Sequence, residues 1–270
     1  MPTETPVYYN KHFLEDEVRD LARRQVVTHE KKPLEPIQPI LDRADEILKK
    51  TYRELARAAK QKRELSSAGE WVLDNFYIIQ EQIVQLREDL PPSYYKKLPR
   101  LKEGEFKGYP RIYELVENLA AISDNMIDQD NTSTAVQAYQ EVATLRLGEL
   151  WAVPILIRLS LIRRLMEKSE QLLAQRELRD RVEDVAEKIQ DDESEEPGYL
   201  IRRLPELIGP KNDDELFLTA LAQRLQAAGL LTDSERSWFD YKFRKWNTSL
   251  EDQLRIEAQR TSRLHLSIQN

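Results

Sequence analysis

The sequence predicts an all-α fold, a multi-helix bundle of long amphipathic helices with no sheet. Three observations lead there. Apolar residues recur at spacings of three and four through most of the chain, the period of one helix face. No stretch alternates with period two for long enough to make a strand. The 270 residues include only 7 glycines, against a usual share of roughly 7%, and those seven fall at the joints between periodic segments.

Residues 1–13 read as a loose tail, with two prolines and a polar-aromatic mixture. Leu14 to about Gln25 reads as a short helix through Leu14, Val18 and Leu21. Lys31 to Pro36 is a linker, because two prolines interrupt any helix there. From Ile37 a helix carries Ile40, Leu41, Ala44, Ile47, Leu48, Leu55 and Ala56 on one face and a basic face opposite. Ser67 with Glu70 three residues on reads as a capping box, opening a helix that Pro91-Pro92 stops. Residues 91–109 are irregular. Pro110 suits the first turn of the next helix, which runs to about Met126. A helix follows from Thr134 to about Thr144. A long one then starts near Gly148 and runs through Trp151, Leu159 and Leu172 to Ile189, with Pro154 close enough to its start to be tolerated. Asp191 to Gly198 is an acidic break. Helices are expected over about 199–208, 213–228 and 233–245, and a last one starts at Thr248, whose Glu251 suggests a second capping box. The chain stops while Leu254, Ala258, Leu264 and Ile268 are still in phase, which suggests truncation.

Composition excludes several function classes. A glycine loop that cradles phosphate needs clustered glycines; only Gly104 and Gly108 are close together, and no Lys-Ser/Thr follows them. With no cysteine and three scattered histidines (His12, His29, His265), neither a disulfide framework nor a dedicated zinc site is expected. No cofactor is expected. The net charge of −7 lacks the basic field that nucleic-acid binding wants. The longest apolar run, Leu150 to Ile157, is far short of the roughly 20 residues of a membrane span, and the N-terminus has no signal-peptide pattern.

Two stretches carry longer motifs. Gly69 to Leu101 begins Gly-Glu-Trp-Val-Leu-Asp-Asn and ends Leu-Pro-Pro-Ser-Tyr-Tyr-Lys-Lys-Leu-Pro-Arg-Leu; Tyr109 to Asp128 leads on to Val136 through Ile162. Their order resembles the N-terminal region of bacterial cyclic β-1,2-glucan synthases, very large membrane proteins that polymerise glucose from UDP-glucose. Residues 66–172 carry the resemblance well and the rest more loosely. The family usually has Thr-Pro-Leu-Thr-Ile before Gly-Glu-Leu-Trp. Here Thr144, Leu145, Arg146 and Leu147 follow Ala143, so the helices over 134–144 and 148–190 could join. The resemblance implies a chain lying upstream of a glycosyltransferase region. No Gln-x-x-Arg-Trp transferase signature is present, so no catalytic residue is assigned. The implied organisation is a tail and linker over 1–36, a family-like helical bundle over 37–190, an acidic linker over 191–198 and a smaller helical region over 199–270, continuing toward a missing C-terminal part.

Candidate ligand or domain contacts lie in the family-like block. Glu149 beside Trp151 combines a carboxylate that can accept hydroxyl hydrogens with a ring that can stack on a sugar. The competing expectation puts Glu149 in a helix first turn, where a negative charge favours the macrodipole, and Trp151 in the core. Tyr109 precedes Pro110 and Arg111, and Arg111 can pair with Asp124 or Glu149 across helices. The implied role is a non-catalytic helical scaffold of a cyclic β-1,2-glucan synthase-like protein. Its partner would be the glycosyltransferase region, with β-1,2-glucan as a candidate ligand, and its place the cytoplasmic side of an inner-membrane protein. An independent helical protein-interaction adaptor and a glucan-binding module are the alternatives.

Overall fold

The structure is a computed structural model that describes residues 10–28, 37–61, 65–190 and 199–256. The described residues are predominantly α-helical, and their contacts fall into two compact units, 1–171 and 172–270. The division lies inside the longest helix and not in the acidic stretch 191–198, which is outside the described residues. The tail 1–9 and the linker 31–36 are outside them too.

In the first unit, α1 (Lys11–Arg24) is capped by Asn10, whose side chain accepts from the N–H groups of His12 and Phe13. Its stripe of Leu14, Val18 and Leu21 is fully buried, chiefly against α6. α2 (Ile37–Lys60) and α3 (Ser67–Asp89) pack on each other. Tyr52 stacks on Phe76 with ring centroids 4.3 Å apart, and Arg87 reaches Asp42 at 2.8 Å, so the two helices run antiparallel. Ser66, not Ser67, caps α3 by accepting from the Gly69 N–H. The single turn α4 (Pro92–Tyr95) follows Pro91.

Arg100–Leu101 pairs antiparallel with Val27–Thr28, which corrects the expectation of no sheet. Each strand is two residues long, too short for period-two alternation to register in a sequence. α5 (Arg111–Ile122) starts directly after Pro110 and ends four residues before the expected Met126. It stops because Asp124 and Asn125 take left-handed φ values of 49° and 66°, a conformation that short polar side chains tolerate. The Asn125 N–H closes the end on the Ala120 carbonyl at 2.8 Å. α6 (Gln129–Val142) begins earlier than expected, at a capping box in which Asp128 and Asn131 bond each other's backbone N–H. Residues 143–146 then break the chain, so α6 does not join α7 (Leu147–Gln190). Pro154 is the eighth residue of α7 and lies beyond its first turn, so the Leu150 carbonyl loses its i+4 donor. The core of this unit runs through α1, α2, α3, α5, α6 and the first part of α7, with Leu41, Leu86, Ile112, Leu115, Tyr139 and Leu156 among its most buried members.

The second unit holds the end of α7, α8 (Tyr199–Ile208), α9 (Glu215–Ala227), α10 (Asp233–Phe243) and α11 (residues 250–256). Phe217, Leu221, Leu225, Phe239 and Phe243 are fully buried together with Val185 and Ala186 of α7. Arg224 grips Glu183 through two hydrogen bonds at 2.9 and 2.8 Å. α10 opens on a capping box between Thr232 and Glu235. The cap before α11 is Ser249 with Asp252 (Asp252 N–H to Ser249 Oγ, 3.1 Å), one residue after the Thr248–Glu251 pair. As at Ser66, two adjacent hydroxyl residues leave the cap ambiguous by one position until the backbone angles choose.

Candidate functional site

Arg111 is the first residue of α5 and Glu149 the third of α7. The packing of the two helices brings them into a bidentate pair: Arg111 Nε donates to Glu149 Oε1 at 2.7 Å and Nη2 to Oε2 at 2.9 Å. Glu149 is 1% exposed and Arg111 11%. The remaining capacity of both groups ties down the chain between α6 and α7. Arg111 Nη2 also donates to the Thr144 carbonyl at 2.8 Å, and the Arg146 N–H donates to Glu149 Oε2 at 2.9 Å. Burial alone would lower the pKa of Arg111. The hydrogen bond and charge of Glu149 outweigh it and hold the group above its ordinary value.

Further polar side chains continue the network. The Arg111 guanidinium sits 5.6 Å over the Tyr139 ring. Tyr139 donates its hydroxyl to Gln25 Oε1, and the Gln25 amide donates to the Arg111 carbonyl and to Glu114. Burial pushes the Tyr139 phenol up to about 12, so it stays a donor at neutral pH. Tyr94 donates to the Gly148 carbonyl at 2.5 Å. One buried polar hub thus ties the end of α1 and the single turn α4 to α5, α6 and the start of α7.

Of the two partners considered for Arg111, Glu149 is the one engaged; Asp124 lies exposed at the left-handed end of α5. Tyr109 is half-buried, stacked on Tyr113 with centroids 4.9 Å apart and edge-on to Phe106. Trp151 is 65% exposed, which corrects its reading as a core aromatic. Glu149 and Trp151 are two residues apart on a helix and therefore point to different sides, so they form no joint sugar-facing pair. Trp71, Tyr77, Ile78 and Val84 of α3 are also exposed, and helical spacing places them with Asp74, Glu81 and Glu88 along one broad face. In the second unit, Phe239 and Phe243 are core, Trp238 and Trp246 pack beside them, and Tyr241 is exposed.

A second buried charge cluster was not anticipated. Glu117 of α5 is 5% exposed and pairs with both Arg163 (2.7 Å) and Arg164 (3.0 Å) of α7. Burial would raise the Glu117 carboxyl; the hydrogen bond and charge of Arg163 outweigh it and hold the pKa below the ordinary value, with Ser160 and Tyr113 acting in the same sense. The signal was in the sequence: Tyr113, Val116, Glu117 and Ala120 fall on one apolar face, so Glu117 is a charge placed where the period calls for a hydrophobe. Asp128 and Asp130 have Asp-x-Asp spacing, but Asp128 is occupied as the α6 cap. Among the described residues, no three or more His, Cys, Asp or Glu side chains gather to hold a metal, and no helix is long and apolar enough to cross a membrane.

No protein-family model matches the chain. It is similar to the cyclic beta-(1,2)-glucan synthase NdvB of Rhizobium meliloti (strain 1021), with 26% identity over 226 residues. The match takes in 83% of this chain and 8% of that protein, so the chain is a distant, partial relative and spans under a tenth of the length of the protein it matches.

Proposed function

We propose that the chain is a non-catalytic helical scaffold of a cyclic β-1,2-glucan synthase-like protein, acting on the cytoplasmic side beside the glycosyltransferase region of the same system. The observation that carries this reading is the similarity to NdvB along most of the chain, in a part where the polar residues serve the fold. Glu149, the carboxylate best placed by sequence for sugar chemistry, is buried, paired at both oxygens with Arg111 and further held by a backbone N–H. A general acid or nucleophile must reach a substrate, and Glu149 has no open side. The exposed apolar residues of α3 supply the kind of surface that packing against another domain needs.

Full-length protein carrying Arg111→Met tests the reading. Glucan formation from UDP-glucose is expected to fall in proportion to the loss of folded protein, with KM for UDP-glucose unchanged in what remains. The isolated chain is expected to form no glucan from UDP-glucose. Turnover by the isolated chain, or a changed KM in correctly folded full-length variant, would overturn the scaffold reading.

A further inference from the structure

α2 and α3 of the first unit lie side by side and antiparallel, and their exposed faces carry opposite charge. α2 exposes six bases (Arg43, Lys49, Lys50, Arg53, Arg57, Lys60) and two acids, Asp42 and Glu46. α3 exposes five acids (Glu70, Asp74, Glu81, Glu88, Asp89) and one base, Arg87. The two faces therefore stand at +4 and −4. Both helices bury their other side in one core, through Leu41, Ala44 and Leu48 on α2 and Ile79, Ile83 and Leu86 on α3, so the charged faces look outward on the same side of the pair. Some of these charges are already matched, as in Lys49–Asp45, Arg57–Glu54 and Arg87–Asp42. Among the described residues, Glu70, Asp74, Glu81 and Glu88 enter no ion pair, and neither do Lys50, Arg53 and Lys60.

Asp74, Glu81 and Glu88 recur every seven residues, and the exposed side chains of Tyr77 and Val84 fall between them on the same face, at the three- and four-residue spacings of helix neighbours. A basic partner would match α3 and leave α2 bare; an acidic one would do the reverse. A second copy matches both at once. Tyr52 lies level with Phe76, and Asp42 with Arg87. A two-fold axis running along the pair turns it onto a second copy without changing those levels, α3 over α2 and α2 over α3, which is the self-complementary contact that dimers favour. Glu70 of each copy then stands level with Arg57 of the other, Asp74 with Arg53, and Glu81 within a turn of Lys49. The 24 residues of α2 span about 36 Å, and two helices cover a width of about 18–20 Å, so each copy buries roughly 600–700 Å² and the interface sits at the lower end of specific ones. At about 0.1 M salt the Debye length is about 10 Å, so the facing charges count and not the net charge of −7.

We infer that the outward face of the α2–α3 pair is a dimerisation surface on which a second copy of this chain docks, acidic α3 against basic α2, twice over. Exposed ion pairs each contribute little. The covering of Tyr77 and Val84 by the alkyl stems of facing lysines and arginines supplies the contact, and the charges fix which helix lies on which. The inference names an occupant for the α3 face that the proposed function leaves to another domain, and it rests on charge and geometry alone.

The test is sedimentation equilibrium of the whole chain and of two charge-switched variants, Asp74→Lys/Glu81→Lys on α3 and Lys50→Glu/Arg53→Glu on α2. The parent is expected to dimerise below about 0.2 mM, with a Kd that rises roughly tenfold between about 0.1 and 0.5 M salt. Each switched variant alone should stay monomeric. An equimolar mixture of the two should dimerise again, because switched α3 then faces switched α2 while the two unswitched faces still match. All four positions are exposed or, at Lys50 and Arg53, free of ion pairs, so circular dichroism should show the parent fold; Asp74→Asn/Glu81→Gln, which should weaken the dimer severalfold, reads the same interface if reversal disturbs it. A parent that stays monomeric at low salt would overturn the inference. So would a dimer that neither switch weakens, or a mixture that fails to restore it. None of these results bears on glucan formation by the Arg111→Met protein, so the two readings fail separately.

Discussion

Replacing Arg111 with Met isolates the buried pair. Met keeps much of the stem but removes every guanidinium donor, leaving Glu149 at 1% exposure with the Arg146 N–H as its remaining hydrogen bond. Removing one partner of a buried ion pair strands a charge in low dielectric, which costs roughly 3–5 kcal/mol. The Thr144 carbonyl loses its donor as well, so a value near the middle of that range is expected. With a urea slope of about 2 kcal/mol per molar, the midpoint for the first unit should fall by about 1.5–2 M. Circular dichroism, with fluorescence from the first unit's tryptophans Trp71 and Trp151, gives that midpoint. Trypsin should also cut sooner after Arg146, whose backbone the pair holds. The double variant Arg111→Met/Glu149→Leu removes both charges and should recover much of the loss, because a buried pair replaced by apolar residues is often close to neutral. A shift under about 0.5 M for the single variant, or a double variant no better than the single one, would refute the stranded-charge reasoning.

Three further outcomes follow from the packing. Glu117 has a folded pKa below its ordinary 4.5, so its stabilising contribution is complete above that value and is lost as pH falls through the lower folded value; the stability of Glu117→Gln, measured by urea titration from neutral pH downward, should start lower and decline less steeply on acidification than that of the parent. Phe239→Ala empties a fully buried site in the second unit and should cost about 3–5 kcal/mol, read as an earlier melt of amides in 199–256 with those of the first unit unmoved. Trp151→Ala removes a largely exposed ring and should change urea stability by under about 0.5 kcal/mol; a larger loss would show that the ring is packed.

Helices were the most legible part of the sequence because each declares itself through its own period. Ile37 to Lys60 and Ser67 to Asp89 are long enough for that period to dominate, and Pro91 and Pro110 marked joints by chemistry that needs no neighbour. Helix ends were less legible. Hydroxyl doublets at Ser66–Ser67 and Thr248–Ser249 offer two caps each, and α5 stops at a left-handed Asp-Asn pair that could equally have continued as helix.

What the sequence determined by itself is therefore the all-α class, the main helical spans, and a short set of charged residues that would have to be neutralised if buried. Tertiary structure decided which charges those were and what they bind. Arg111 could have reached Asp124 or Glu149; the way α5 lies on α7 chose Glu149 and left Asp124 in water. Glu117 stood out only as a charge on an apolar face until α7 set two arginines against it, and the packing turned Trp151 outward, away from the core. The reason is one of range. A helical period is set by hydrogen bonds four residues apart, whereas burial and ion pairing depend on which distant segment arrives at the same place. The separation of 38 positions between Arg111 and Glu149 carries no local mark of that meeting.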